Sequence, residues 1–297
     1  TGKPITWVVP YPPGGTTDIL GRAIAQRLGT SLGTTVIVDN KAGATGTIGS
    51  AFIAKAAPDG YTLLGTSIGP QAIVPNLLPK MQYDPVKAFA PVSLIGTIPH
   101  VLIVGANQPF RTVADLVAQA KAHPGELSFA SGGNGTVLQM QGELLRLQTG
   151  AKMTHVPYKG DTPAIQDVLA GHATFMFAPV AAALPHIQSG NLRALAVTSA
   201  TRLKALPDVP TMGQAGFKDF VVEQWQAVYA PAGTPAPVVQ RLHDDVVRHL
   251  KDPELIAMAD KLGVTLVAST PQQLADTQKA DLAKWAQVIK DAGVKPD

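Results

Sequence analysis

The residues best suited to chemistry lie in two glycine-rich turns, and both suit the capture of an anion. Tyr11-Pro12-Pro13-Gly14-Gly15-Thr16-Thr17-Asp18 follows the apolar run Ile5-Thr6-Trp7-Val8-Val9, and Ser131-Gly132-Gly133-Asn134-Gly135-Thr136 follows Leu127-Ser128-Phe129-Ala130. Each leads into a helix-like pattern. Glycine allows backbone N–H groups to approach a ligand closely, and a helix start leaves several of those donors without a partner. Such a turn can hold a carboxylate without any charged side chain. A glycine pair can also be no more than a tight strand-to-helix connection. Around the first pair, Thr16 and Thr17 offer hydroxyls at the helix start, while Pro12 and Pro13 stiffen the approach. Asp18 would repel an anion, which leaves it a capping role or a hold on an amino group or water. Open α/β sheets bind ligands outside the carboxyl ends of their strands, where both turns fall. One turn in each half of the chain suggests a clamp on something small and negative.

Other motifs are weaker. Gly43-Ala44-Thr45-Gly46-Thr47-Ile48-Gly49 opens a helix after a strand, but its spacing is GxxGxxG and not the dinucleotide pattern GxGxxG. No Walker A sequence occurs, so this segment reads as packing or as backbone approach to a smaller ligand. Gly65-Thr66-Ser67-Ile68-Gly69 matches the GxSxG nucleophile pattern, with His155, His172, His186 and His243 available as a base. A serine hydrolase or transferase centred on Ser67 is therefore the rival reading. Against it, Pro70 closely follows the supposed elbow and no HGGG-type segment precedes it. Ser67 and Gly69 otherwise read as strand-end groups facing a ligand. His243 and His249 are six residues apart and do not share a helix face, and HExxH is absent. Without cysteine, thiol catalysis, disulfides and cysteine-metal sites are excluded. Neither a metal nor a cofactor is expected.

The 297 residues exceed a usual single core and suggest two α/β lobes. The net charge of +3 is small and the basic residues are scattered, so nucleic-acid binding has no support. No apolar stretch approaches the roughly 20 residues that span a bilayer. The chain begins at Thr1, as a processed or trimmed chain would.

Strand signals at 5–9, 35–38 and 61–64 alternate with helix patterns at 18–28, ended by Gly29, and at 47–56. That rhythm predicts a mostly parallel sheet covered on both faces. It breaks at 92–95 and 101–104, where two strands follow each other directly. It restarts at Thr112, an N-cap with Asp115 three residues on, and continues to the strand at 192–197. A second irregular, apolar stretch covers 221–229. A helix to about 250, a strand at 264–267 and a terminal helix from about 272 close the chain. The expected lobes are 1–99 with 229–297, and 100–228, joined by strand-like crossings near 96–105 and 221–230 that could act as a hinge.

The chain resembles the tripartite tricarboxylate transporter receptors, also called Bug proteins. The resemblance is carried by residues 5–18, Lys41-Ala42-Gly43-Ala44, Pro58-Asp59-Gly60-Tyr61-Thr62-Leu63-Leu64 and His155-Val156-Pro157-Tyr158-Lys159-Gly160. It continues through Leu184-Pro185-His186-Ile187, Leu192-Arg193-Ala194-Leu195-Ala196-Val197-Thr198, Leu206-Pro207-Asp208-Val209-Pro210-Thr211 and Ala230-Pro231-Ala232-Gly233-Thr234-Pro235. The resemblance implies a type II periplasmic-binding-protein fold, two doubly wound lobes with a ligand cleft between them. It implies a monomer in the periplasm of a Gram-negative bacterium that delivers an organic acid to two integral-membrane subunits. A receptor that reports to a signalling partner is the variant of this reading. In such receptors the ligand carboxylate is held largely by amides and hydroxyls of the two loops, with waters bridging to the first lobe. Carried over here, that implies Tyr11, Pro12, Gly14, Gly15, Thr16, Thr17 and Asp18 on one side. On the other it implies Ser131, Gly133, Asn134, Gly135, Thr136 and Tyr158. Arg22 and Arg146 fall on the following helices and read as solvated or paired.

One departure bears on specificity. Many relatives carry Asp-Asn after the strand near 174–177, where this chain has Phe177-Ala178-Pro179. Without that carboxylate the ammonium of an amino-acid ligand would be unpaired, which is costly in a closed site. A non-amino dicarboxylate or an aromatic carboxylate is the expected ligand, its body lying against Phe177, Ala178 and Tyr11. The alternative is that Ala178 only packs and Asp18 receives an amino group.

Overall fold

Alternating strands and helices build two separate α/β units. A computed structural model of the chain describes residues 2–296. The first unit runs from residue 2 to Thr97 and resumes over Gln224–Ala286; the second spans Ile98–Glu223 and takes up the chain again at Gln287. The first unit opens with β1 (Ile5–Val9), α1 (Thr16–Leu32), β2 (Val36–Asn40), α2 (Thr47–Ala54), β3 (Thr62–Ser67) and β4 (Phe89–Ile98). In the second follow β5 (His100–Gly105), α3 (Val113–Ala122), β6 (Ser128–Ser131), α4 (Val137–Thr149), β7 (Thr154–Pro157) and α5 (Asp161–Ala170). That unit continues with β8 (Phe175–Pro179), α6 (Val180–Gln188) and β9 (Leu192–Val197). The chain then returns through β10 (Gln224–Pro231), α7 (Ala236–His249), α8 (Pro253–Leu262), β11 (Thr265–Leu266) and α9 (Pro271–Ala292).

Both sheets are mixed. The first has the order β11-β4-β10-β3-β1-β2 and the second β7-β6-β8-β5-β9. The strands that carry the loops are parallel to their neighbours: β1 to β2 and β3, and β6 to β7 and β8. β10 runs antiparallel to β3, and β5 antiparallel to β8 and β9.

The same device seats the first helix of each loop on its strand. Trp7 of β1 is fully buried, and a Cβ on Gly21 of α1 would meet its Nε1 at 2.8 Å. Phe129 of β6 is likewise buried, and a Cβ on Gly142 of α4 would meet its ring at 2.3 Å. In each unit a large aromatic on the strand fills the space that a glycine on the helix leaves open. The helix axis is drawn onto the sheet, and the loop between them has little slack.

Three differences from the sequence expectations have local causes. Helix α1 does not stop at Gly29 but runs to Leu32 and ends at Gly33, whose φ of 64° closes the helix on the Gly29 carbonyl. Gly29 serves close packing instead, since a Cβ there would lie 2.9 Å from the carbonyl oxygen of Thr34. Helix α8 was absent from the sequence reading. Its start carries the Asp252-Pro253 signal, and the Asp252 side chain accepts from the Glu254 N–H. Residues 287–296 group with the second unit, whereas the sequence reading attached them to the first. There the Arg146 guanidinium donates to the carbonyl of Ala292 at 2.7 Å. The capping box at the start of α3 is present, with Thr112 and Asp115 each accepting from the other's backbone N–H.

Candidate functional site

The first loop is tied to its helix by a buried carboxylate. Gly14 turns the chain with a φ of 93°, and its N–H donates to Asp18 Oδ2 at 2.9 Å. Asp18 is only 2% exposed. It also accepts from Arg22 Nε at 3.1 Å and from Asn40 Nδ2 at 2.9 Å. The Asn40 amide donates in addition to the Tyr11 carbonyl, and its oxygen accepts from Arg22 Nη2. Burial by itself would raise the Asp18 pKa, but the hydrogen bonds from Arg22, Gly14 and Asn40 outweigh it and hold the carboxyl below its ordinary value. Asp18 is thus a loop tie whose acceptor sites are filled from inside the unit. Of the roles open to Asp18, this arrangement is the capping one. The Gly14 N–H is engaged as well, so the donors turned outward belong to the first turn of α1. Its N-cap, Gly15, supplies no side-chain cap.

The second loop repeats the construction with a neutral side chain. Gly135, at a φ of 77°, donates its N–H to Gln139 Oε1 at 2.8 Å, four residues on, as Gly14 does to Asp18. Gly133, at a φ of 138°, donates to Ser131 Oγ, and Thr136 Oγ1 donates to the Gly133 carbonyl at 2.8 Å. Ser131 also bonds His155 Nε2 at 2.7 Å, and the imidazole stacks on Phe129. Thr136 caps α4 by accepting from the Gln139 N–H. The neighbouring strand's extension braces the loop, with Tyr158 N–H donating to Ser131 and Gly160 N–H to Gly132. The Tyr158 hydroxyl donates to Asp167 at 2.6 Å; burial and that carboxylate push its pKa up to about 12. The Tyr158 hydroxyl is thus engaged by Asp167, and its backbone carbonyl adjoins Gly133.

Two further groups of the first unit reach the same sheet edge. Ser67 ends β3 and shares a 2.7 Å hydrogen bond with the half-buried Tyr11, whose phenol burial pushes up to about 12 against the lowering effect of Ser67. A Cβ on Gly69 would lie 3.5 Å from that phenol oxygen, so Tyr11 covers the end of β3. Ser67 is also directly opposite Gln226 of β10. Gln226, 1% exposed, accepts from Thr17 Oγ1 at 2.7 Å. The sequence reading missed Gln226, Asn40 and Gln139. The only available signal was a glutamine inside the apolar run Trp225-Gln226-Ala227-Val228-Tyr229.

Phe177 and Ala178 lie at the carboxyl end of β8, beside Ser131, but not as the expected apolar wall. Phe177 is 1% exposed, stacks on Phe220 at 5.3 Å and meets Phe175 edge-on. Strand alternation sends its ring into the core of the second unit, and Ala178 is buried too. Pro12 is exposed at the tip of the first loop, and Asn134 is half-buried in the second. The GxxGxxG segment is explained by packing: a Cβ on Gly49 would lie 2.8 Å from Pro10 Cα and 2.9 Å from the Lys41 carbonyl oxygen. A 650 Å³ surface cavity of the first unit adjoins Ala25, Gly29, Thr35 and Val36, where β2 begins and α1 nears its end, away from the loop. Among the described residues no group of three or more histidine or acidic side chains could hold a metal ion, and no helix is long and apolar enough to cross a membrane.

The tripartite tricarboxylate transporter family receptor pattern matches residues 20–294. The chain belongs to this receptor family. It is similar to the periplasmic binding protein BugD, with 34% identity, 99% of each chain covered and a TM-score of 0.81. R. palustris Rpa4515, solved with adipate, is 34% identical, with 99% of this chain and 98% of that one covered and a TM-score of 0.84. MatC from Rhodopseudomonas palustris, solved with bound malate, is 31% identical over 96% of this chain and 98% of its own, with a TM-score of 0.81. The fold is that of periplasmic binding proteins, an α/β architecture of two lobes with a mixed sheet in each. Members of the family are solute-binding receptors of a membrane transport system and not enzymes. Ser67 accordingly ends a binding-protein strand, where its hydroxyl is bonded to the Tyr11 phenol.

Proposed function

We propose that this receptor captures a small non-amino carboxylate in the periplasm of a Gram-negative bacterium and delivers it, as a monomer, to the integral-membrane subunits of its transporter. The observation that carries the reading is the repeated loop: a glycine N–H tied to a side chain four residues on, at the carboxyl end of a parallel strand. Such a loop is rigid before any ligand arrives, which limits the entropy lost on binding. The two loops differ in charge. A buried carboxylate ties the first, while the neutral Gln139 ties the second. An incoming carboxylate is therefore favoured on the second loop, at Asn134, Thr136 and the first amides of α4, where burial raises the pKa of the Asp161 carboxyl that lies against Gly132.

The segment after β8, Phe177-Ala178-Pro179, offers no carboxylate to the ammonium of an amino-acid ligand, and the carboxyl against the second loop, Asp161 beside Gly132, is pushed towards its neutral form by burial. Asp18 already accepts from three groups of its own unit. Adipate and malate, the acids found with two relatives, are the natural first probes. Titration calorimetry with adipate, malate, benzoate and aspartate tests the reading. At least one of the first three should bind and aspartate should not. Gly133→Pro, which forces φ away from 138° and removes the N–H given to Ser131, should abolish the heat. Tight binding of aspartate with none of the other acids bound would overturn the proposal.

A further inference from the structure

The amide of Gln226 is a buried donor with nothing to donate to. Its oxygen accepts from the Thr17 hydroxyl at 2.7 Å. Its Nε2 is buried and has no hydrogen-bond partner in the protein. A primary amide in this state leaves strong donors unsatisfied, a cost that native structures rarely carry without a reason. The position gives the reason. Gln226 and Ser67 are directly opposed on antiparallel strands, so their side chains stand on the same face of the sheet. Ser67 is bonded to Tyr11 on that face, and Thr17 brings the first turn of α1 to it. The orphan amide therefore joins the uncapped helix start and two hydroxyls at one sheet edge.

We infer that Gln226 Nε2 receives an oxygen of the ligand, a carboxylate oxygen, and that Gln226 is the specificity-determining residue of the first unit. This rests on the carboxylate-receptor reading and adds to it the group that reads the ligand's second polar end. Thr17 is a positioning residue: its hydroxyl engages the amide oxygen and so leaves the nitrogen as the uncommitted end of the amide. The placement suits the charges. Asp18 is neutralised by Arg22 and tied inside the loop, and a neutral amide accepts an anion without adding repulsion. It also gives selectivity for acids with a polar group at each end, because a ligand lacking the second oxygen leaves Nε2 buried and unpaired.

The test is titration of wild type, Gln226→Leu, Gln226→Glu and Thr17→Val with whichever of adipate or malate binds the wild type more tightly. Melting temperatures are recorded alongside. Loss of a hydrogen bond to a charged acceptor corresponds to roughly tenfold to a hundredfold weaker binding for the leucine variant. The glutamate variant should be weaker still, since it sets carboxylate against carboxylate, whatever the order of the two melting temperatures. A purely structural glutamine would instead give affinities that follow thermal stability. Gln226→Leu binding within about twofold of wild type overturns the inference and leaves the receptor reading standing. If neither acid, benzoate nor any other carboxylate binds wild type, the receptor reading itself falls, and the inference with it. Should both Gln226 variants fail to fold, Thr17→Val decides. A several-fold loss of affinity supports the inference, and unchanged affinity refutes it.

Discussion

Replacing Asp18 by asparagine keeps the shape of the side chain and removes its charge, which isolates what the buried carboxylate does for the first loop. In the wild type Oδ2 accepts the Gly14 N–H at 2.9 Å, and both oxygens accept from Arg22 at 3.1 Å. In the variant one oxygen becomes an NH₂ group. If the remaining oxygen keeps its bond from Asn40, the NH₂ faces the Gly14 N–H, donor against donor. A hydrogen bond to a buried charged acceptor is worth about 1.5–3 kcal/mol. The Arg22 side chain is 49% exposed and can hydrate when released, so its share is discounted to about 0.5 kcal/mol. The sum, about 2–3.5 kcal/mol, corresponds to a fall in melting temperature of roughly 3–6 °C for a protein of this size. Differential scanning calorimetry reads that fall, and titration with the bound acid should show weaker binding because the loop is no longer held.

The pH dependence gives a second check on the same tie. The folded-state pKa of Asp18 lies below its unfolded value, so the stabilisation is present above the ordinary carboxylate pKa and is lost as pH falls through the folded value. Wild type and Asp18→Asn should therefore converge in stability on acidification. A variant that melts within about 1 °C of wild type at neutral pH and binds with the same affinity would refute the loop-tie argument.

Other consequences follow from the same geometry. Gly49→Ala drives a Cβ against the backbone of Pro10 and Lys41, and should destabilise by about 1–3 kcal/mol as measured by denaturant unfolding, with no specific effect on ligand rank order. Ser67→Ala removes the partner of the Tyr11 phenol and should cost about 0.5–1.5 kcal/mol in the same assay. Ester substrates should be untouched by both wild type and Ser67→Ala; turnover lost on this substitution would restore the hydrolase reading.

Much of the architecture was legible in order and kind. Short apolar runs separated by helix patterns located β1, β6 and β9 and the loops after the first two, because period and turn chemistry are local properties. The end of α1 was misplaced because Gly29 looks like a stop signal. Its role is a close approach to Thr34, which involves a backbone that the local pattern does not specify. Phe177 read as a ligand wall because strand-end aromatics often are one. Which face of β8 its ring occupies depends on the register with β5 and on Phe220, forty-three residues away in sequence.

By itself the sequence determined the two glycine loops, their place after strands and the family to which the chain belongs. Each of these is written in contiguous residues or in motifs whose order is fixed. What only the tertiary structure decided is which polar groups of those loops are already satisfied. Asp18, Gly14, Gly133 and Gly135 are tied within their own loops and helix starts, while Gln226 arrives from 209 residues beyond Thr17 with one donor unmatched. Hydrogen-bond satisfaction is a property of packed neighbours, and no reading of spacing along the chain can assign it.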